Sequence, residues 1–285
     1  TVSRWGDTFN DVAFVIVVYE LTGSGLKVSG AVVMEILPVL LFGFVAGTVV
    51  DRLPRRQVMI AADLGRAGIA ALLAISPDHL WGLYAAAFAL SALTVFFNPA
   101  AASVTPDLVD EDELVGANSA IWSAAVLSQI VLAPAAGALV AYAGVGPAFA
   151  INGSSFLISA ALLVGLRLPA NVEGLAGRRL AEITEGLRAV RDSRLLSTLA
   201  GVQVLAALSA GATSALLVVL AQEHLHVGAA RFGWLLAAIG VGAGFGPLVL
   251  QRLVTDVRRP AFMFGPYLLR GVVDWVLAAF SNFWT

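Results

Sequence analysis

The sequence predicts an all-α membrane protein, and three observations carry that reading. Charged residues make up 13% of its 285 positions and hydrophobic ones 59%, whereas a soluble domain carries roughly 25% charged residues. The apolar residues gather into stretches of the ~20 residues that a helix needs to cross hydrocarbon, and the mean hydropathy is +0.88. The basic residues between those stretches fall almost wholly into alternate loops.

Taken in order, the first span is the least apolar. Its uninterrupted run is only Val12 to Tyr19, yet "VAFVIVVYELTGSG" enters a turn as the later spans do. The front of that span is expected to lie upstream of Thr1. Eight clearer spans follow at roughly 28–50, 57–76, 80–102, 117–143, 147–167, 195–221, 232–254 and 261–283. Residues 168–194 interrupt the series with a polar segment whose Leu180, Ile183, Leu187 and Val190 form one stripe. That pattern predicts a cytoplasmic amphipathic helix at the membrane surface. The expected organisation is therefore a six-helix bundle over 1–167, a connector over 168–194, and a partial second bundle over 195–285.

Charge sets the orientation. With the 51–56 loop inside, twelve arginines occupy internal loops and only Lys27 and Arg231 lie opposite. A positive-inside bias of that size places the N-terminus in the cytoplasm, with the chain multi-pass in the cytoplasmic (inner) membrane. The loop arginines are thereby explained without nucleic acid. There is no cysteine, and His79, His224 and His226 have no carboxylate at zinc-site spacing, so no metal or other cofactor is expected. No nucleophile–base pair stands out, which argues against an enzyme.

The loop "GTVVDRLPRR" (47–56) holds more than orientation requires. Asp51 closes a helix at the end where the dipole disfavours an anion. It therefore calls for a cation, which Arg52, Arg55 or Arg56 can supply across the Leu53-Pro54 turn. Gly47 lies one turn earlier on the same face, where a neighbouring helix could approach. This G-x-x-x-D-R-x-x-R-R pattern between the second and third spans resembles the signature loop of the major facilitator superfamily, although Pro54 stands where the family usually has glycine. "FFNPAAASVTPDLVDEDELVGANS" (96–119) is similar to the exit of span four in drug-exporter-like members. "APAAGALV" (133–140) resembles the antiporter motif, with Pro134 and Gly137 matching and Ala133 and Ala136 replacing glycines.

Ionisable groups inside hydrocarbon are costly and usually face a cavity or a partner. Asp7, Asn10 and Asp11 share one face of span one, and Glu35 lies in span two; these are candidates for protonation or contact with a cationic substrate. Asn98, Gln129 and Asn152 are candidate polar cavity residues. Asp63 and Arg66 in span three read as structural. The glycines of "GVGAGFG" (240–246) sit inside an apolar span without a βαβ unit, so they suggest helix packing rather than nucleotide binding.

The resemblance implies two six-helix bundles, each built from inverted three-helix repeats. About nine of twelve helices would be present, the last three absent, and the fragment is expected not to transport by itself. It also implies export of small amphipathic, drug-like molecules across the lipid bilayer by alternating access, in proton-coupled antiport. The alternatives are a dedicated exporter of a native compound, such as a siderophore or lipid, and a non-transporting membrane scaffold or sensor.

Overall fold

The computed structural model describes residues 2–110, 113–166, 191–199 and 228–253 as continuous stretches, with scattered positions elsewhere between 188 and 225 and between 265 and 275. The amphipathic connector and the seventh and ninth predicted spans fall largely or wholly outside the described residues. Within them the chain forms α1 (Val2–Thr22), α2 (Gly25–Arg52), α3 (Arg55–Ile75), α4 (Leu80–Val104), a 3-10 turn (Thr105–Asp107), α5 (Leu114–Ala143), α6 (Val145–Gly165) and α7 (Ala229–Leu253). The helices α1 to α6 are the first six predicted spans, and α7 is the eighth.

The turns follow from local chemistry. Gly23 and Gly144 take positive φ, 57° and 79°, a conformation that costs glycine little and ends α1 and α5. Their amides donate back to the Tyr19 and Val140 carbonyls at 2.7 and 3.0 Å. Leu53 is extended, as the residue before proline prefers, and this stops α2. The Pro54 carbonyl then accepts from the Gln57 and Val58 amides and starts α3.

By length and composition, α2 to α7 can each cross a bilayer, and α1 is not among them. Its 21 residues are nevertheless continuous helix, so the segment ahead of Val12 that hydropathy leaves weak is helical as well. The reason is a division of faces. Val12, Ala13, Phe14, Ile16, Val17 and Val18 are buried, while Arg4, Asp7, Thr8 and Asp11 line an internal cavity. Averaging over both faces hides a span that sits against α5 and α6 rather than lipid.

The packing partners repeat under exchange of α1–α3 with α4–α6. Contact of α2 with α4 corresponds to that of α5 with α1, contact of α3 with α4 to that of α6 with α1, and α3 with α6 maps onto itself. Two three-helix units therefore interlock as the inverted-repeat plan requires. The main core runs through α1, with Phe14, Ile16, Leu83 and Phe149 almost fully enclosed. A second cluster of Val50, Met59, Ala100 and Val104 closes the end near Pro54. Outward-facing Leu40, Leu72, Ile75 and Trp81 are exposed, as a lipid-facing surface permits because backbone polar groups are satisfied within each helix.

Candidate functional site

All seven described helices contribute to one cavity of about 800 Å³ at mid-height in the bundle, within the range for drug-sized ligands. Its α1 wall is a helical stripe: Arg4, Asp7 and Thr8, then Asn10 and Asp11, then Phe14 and Val15. The carboxylate of Asp11 is exposed inside it. Glu35 joins from α2. Pro38 lies within α2, where it lacks the amide that would bond the preceding turn. On α4, the Ser91 hydroxyl donates to the Glu35 carbonyl at 2.5 Å, tying this interrupted turn to its neighbour.

Arg66 enters from α3. It is 3% exposed, and its Nη2 donates to Oδ1 of fully buried Asp63 at 2.5 Å. Its guanidinium lies 4.4 Å from the ring centres of both Phe97 on α4 and Phe156 on α6. Such cation–π contacts are worth about 0.5–2 kcal/mol each. The Thr94 hydroxyl accepts from Nη1 at 3.4 Å, while Nε of Arg66 and Oδ2 of Asp63 have no hydrogen-bond partner among the described residues.

The remaining wall is amide and apolar. Gln129 comes from α5, Asn152 from α6, and Phe232 and Leu236 from α7. Asn10 and Asn152 are 8% and 1% exposed, and each Oδ1 has no bonding partner among the described residues. A buried carbonyl without a donor is costly, so both are ready to accept from a guest. The helices α1 and α6 come this close because of Gly6, where a Cβ would meet Ser155 Oγ and Asn152 Oδ1 at 2.0 and 2.8 Å.

Two further features lie beside the cavity. At the α5–α7 contact, a Cβ on Gly137 would stand 2.5 Å from the Ala229 carbonyl oxygen, and one on Gly233 would stand 2.3 Å from that of Ala133. Gly240 and Gly244 continue the seam against Ile130 and Val126, so the helix-packing reading of the glycines holds for these two. At the Pro54 end, Arg55 Nη1 donates to the Ser103 carbonyl at 3.1 Å, and Arg56 Nε to that of Leu163 at 2.9 Å. Arg56 Nη2 also reaches the Val164 carbonyl. These carbonyls close α4 and α6, where helix ends leave acceptors free and favour cations.

A family model of the major facilitator superfamily, described as a transmembrane secretion effector, matches residues 1–285. The chain belongs to this superfamily. It is 29% identical to macrolide efflux protein A of Streptococcus pyogenes over 195 residues, covering 66% of this chain and 48% of that protein. The uncharacterized MFS-type transporter YfiS of Bacillus subtilis is 28% identical over 268 residues, 91% of this chain and 62% of its own length. The multidrug efflux pump Tap of Mycobacterium bovis is 29% identical over 296 residues, 96% and 68%. The chain thus spans about half to two thirds of these relatives. Among solved structures, an auto-inhibited POT family peptide transporter superposes with TM-score 0.49 and 17% identity over 88% of this chain and 51% of that one.

In this major facilitator chain the predicted residues separate. Asp7, Asn10, Asp11, Glu35, Gln129 and Asn152 all line the cavity. Asn98 does not: it lies one turn beyond Thr94 on the same face of α4, past the cavity's reach, and is exposed. Pro134 and Gly137 lie in the α5–α7 seam. Gly47 has no described atom within 4 Å of where its Cβ would stand, so no described helix presses on it. Arg52 is exposed, and the Asp51 side chain lies outside those described. Sequence reasoning passed over Gly6, Ser91, Phe97, Phe156 and Gly233, none of which announces itself by charge. Arg66, read as structural, does line the cavity.

Proposed function

We propose that the protein exports small amphipathic, drug-like molecules by alternating access, in exchange for protons, across the cytoplasmic membrane with its N-terminus inside. The observation that carries this reading is the convergence of Asp7, Asp11 and Glu35 on one mid-height cavity of about 800 Å³. Carboxylates at that depth serve cations or protons, and the aromatic and aliphatic wall suits an apolar body. The efflux names of two relatives point the same way. Cargo and protons compete for the same acids, so loading one displaces the other. Rocking about the α5–α7 seam exposes the cavity to each side in turn, and the arginine-capped ends near Pro54 keep the first six helices moving as a unit.

Because the chain spans about half to two thirds of its relatives, everted vesicles containing a full-length transporter that includes it test this. An imposed proton gradient is expected to drive uptake of ethidium, and nigericin to abolish it. Uptake indifferent to the gradient would remove the antiport reading, and no uptake of any amphipathic cation in a panel would remove the export reading.

A further inference from the structure

Two buried acceptors beside the cavity have no donor among the described residues: Oδ1 of Asn10 and Oδ1 of Asn152. Both residues line the cavity, and both belong to the α1–α6 contact. Gly6, where a Cβ would stand 2.8 Å from Asn152 Oδ1, lies one turn before Asn10 on the same face of α1, a rise of about 6 Å. The neighbouring hydroxyls cannot serve these acceptors, because their hydrogens are committed. Ser155 donates to the Asn152 main-chain carbonyl at 2.8 Å. Ser128 pairs with Thr8 at 2.8 Å, and Thr8 reaches the Arg4 carbonyl at 3.4 Å. Ser91 and Thr94 donate to the carbonyls of Glu35 and Leu90. A buried carbonyl left unserved is costly. A half-turn of either carboxamide exchanges its oxygen with its nitrogen in almost the same volume, so a donor in the cavity can be met without moving a helix.

We propose that Asn10 and Asn152 are specificity-determining residues that accept two N–H bonds from a primary or secondary ammonium group, so that the cavity selects such cargo over quaternary cations of equal charge. This deepens the reading of the cavity as the cargo site and rests on it. Asp7, Asp11 and Glu35 attract any cation, and charge alone does not separate these cargoes. The number of N–H bonds does. A cation without N–H, such as tetraphenylphosphonium, still enters but leaves both carbonyls unserved, and a site built to hydrogen-bond its guest disfavours an analogue that lacks the donor. Phe14, Phe232 and Leu236 receive the apolar body whichever head it carries.

The test is binding of a naphthylalkylamine and its N-methyl, N,N-dimethyl and N,N,N-trimethyl derivatives. The protein is a full-length transporter that includes this chain, in lipid nanodiscs at neutral pH, where every ligand carries one positive charge. Each methyl group adds apolar surface, which by itself would strengthen binding. Affinity is expected instead to hold from primary to secondary amine, which keeps two N–H bonds, and then to fall about tenfold with each further methyl. Asn10→Leu or Asn152→Leu alone should leave one acceptor, so that the tertiary amine binds as well as the secondary. The double change should make the series level or rising. A level or rising series in the unaltered protein overturns the proposal and means that water serves the two amides. A falling series that survives the double change also overturns it, because the acids would then be reading the donors. Should the variants not fold, the plateau and two steps in the unaltered protein decide alone. Failure of all four ligands to bind would instead remove the reading of the cavity as a cargo site.

Discussion

Gly137 of α5 and Gly233 of α7 touch backbone to backbone: a Cβ on Gly137 would lie 3.1 Å from the Gly233 Cα. Such contact lets two helices approach where side chains would hold them apart. It joins the first six helices to the first fully described helix beyond the connector. Gly233→Ala is expected to force the seam open and destabilise the fold by about 1–3 kcal/mol, as overpacking does. Gly242 has no described atom within 4 Å of its Cβ position, and alanine there should be neutral or mildly stabilising. Thermal unfolding in detergent checks both. Equal effects at the two positions would contradict the seam.

The arginine caps give a second expectation. Arg56 bonds two carbonyls at the end of α6, and its removal should cost about 1 kcal/mol for a partly exposed charged hydrogen bond. Lysine would keep the charge but lose the forked geometry and recover only part. Proteolysis near residues 163–167 should quicken in Arg56→Ala and remain slow in Arg52→Ala, because Arg52 is exposed.

Asp63→Asn strands a buried guanidinium, a change that typically costs about 3–5 kcal/mol. Replacing both partners, as in Asp63→Leu with Arg66→Met, should cost less than the single change. Folded yield and unfolding temperature read the difference, and additive losses would show that the pair does not act as a unit.

Ser91 reaches the carbonyl of Glu35 next to the turn interrupted by Pro38. Ser91→Ala should therefore loosen α2 against α4 at Glu35. The expected result is several-fold weaker binding of tetraphenylphosphonium with little change in unfolding temperature, since one such bond is worth about 1 kcal/mol. Unchanged affinity would mean that Glu35 is held by other contacts.

Much of the fold was legible because lipid imposes it. Apolar stretches and turn chemistry locate α2 to α6 within a few residues. The α1 helix was harder, since its polar stripe faces a cavity and lowers the average that marks a span. Acids and amides in spans drew attention to six of the cavity residues, because charge inside hydrocarbon is rare. Asn98 shows the limit of that signal: the residue type suits a cavity, but its height along α4 does not, and height is a tertiary property. Arg55 and Arg56 were legible as charges, while their partners at the ends of α4 and α6 are carbonyls, which every residue carries. Gly6 and Gly233 matter for the side chains they lack, and their importance is visible only once neighbouring helices are in place.

The central claim is that the cavity acids Asp7, Asp11 and Glu35 serve both proton and cargo. Carbodiimide modification followed by peptide mass mapping tests it most directly, since the reagent attacks protonated carboxyl groups in apolar surroundings. Labelling is expected among Asp7, Asp11 and Glu35, with ethidium or tetraphenylphosphonium protecting in proportion to occupancy. Labelling confined to acids outside the cavity, or labelling at these three that bound cation leaves unchanged, would contradict the account.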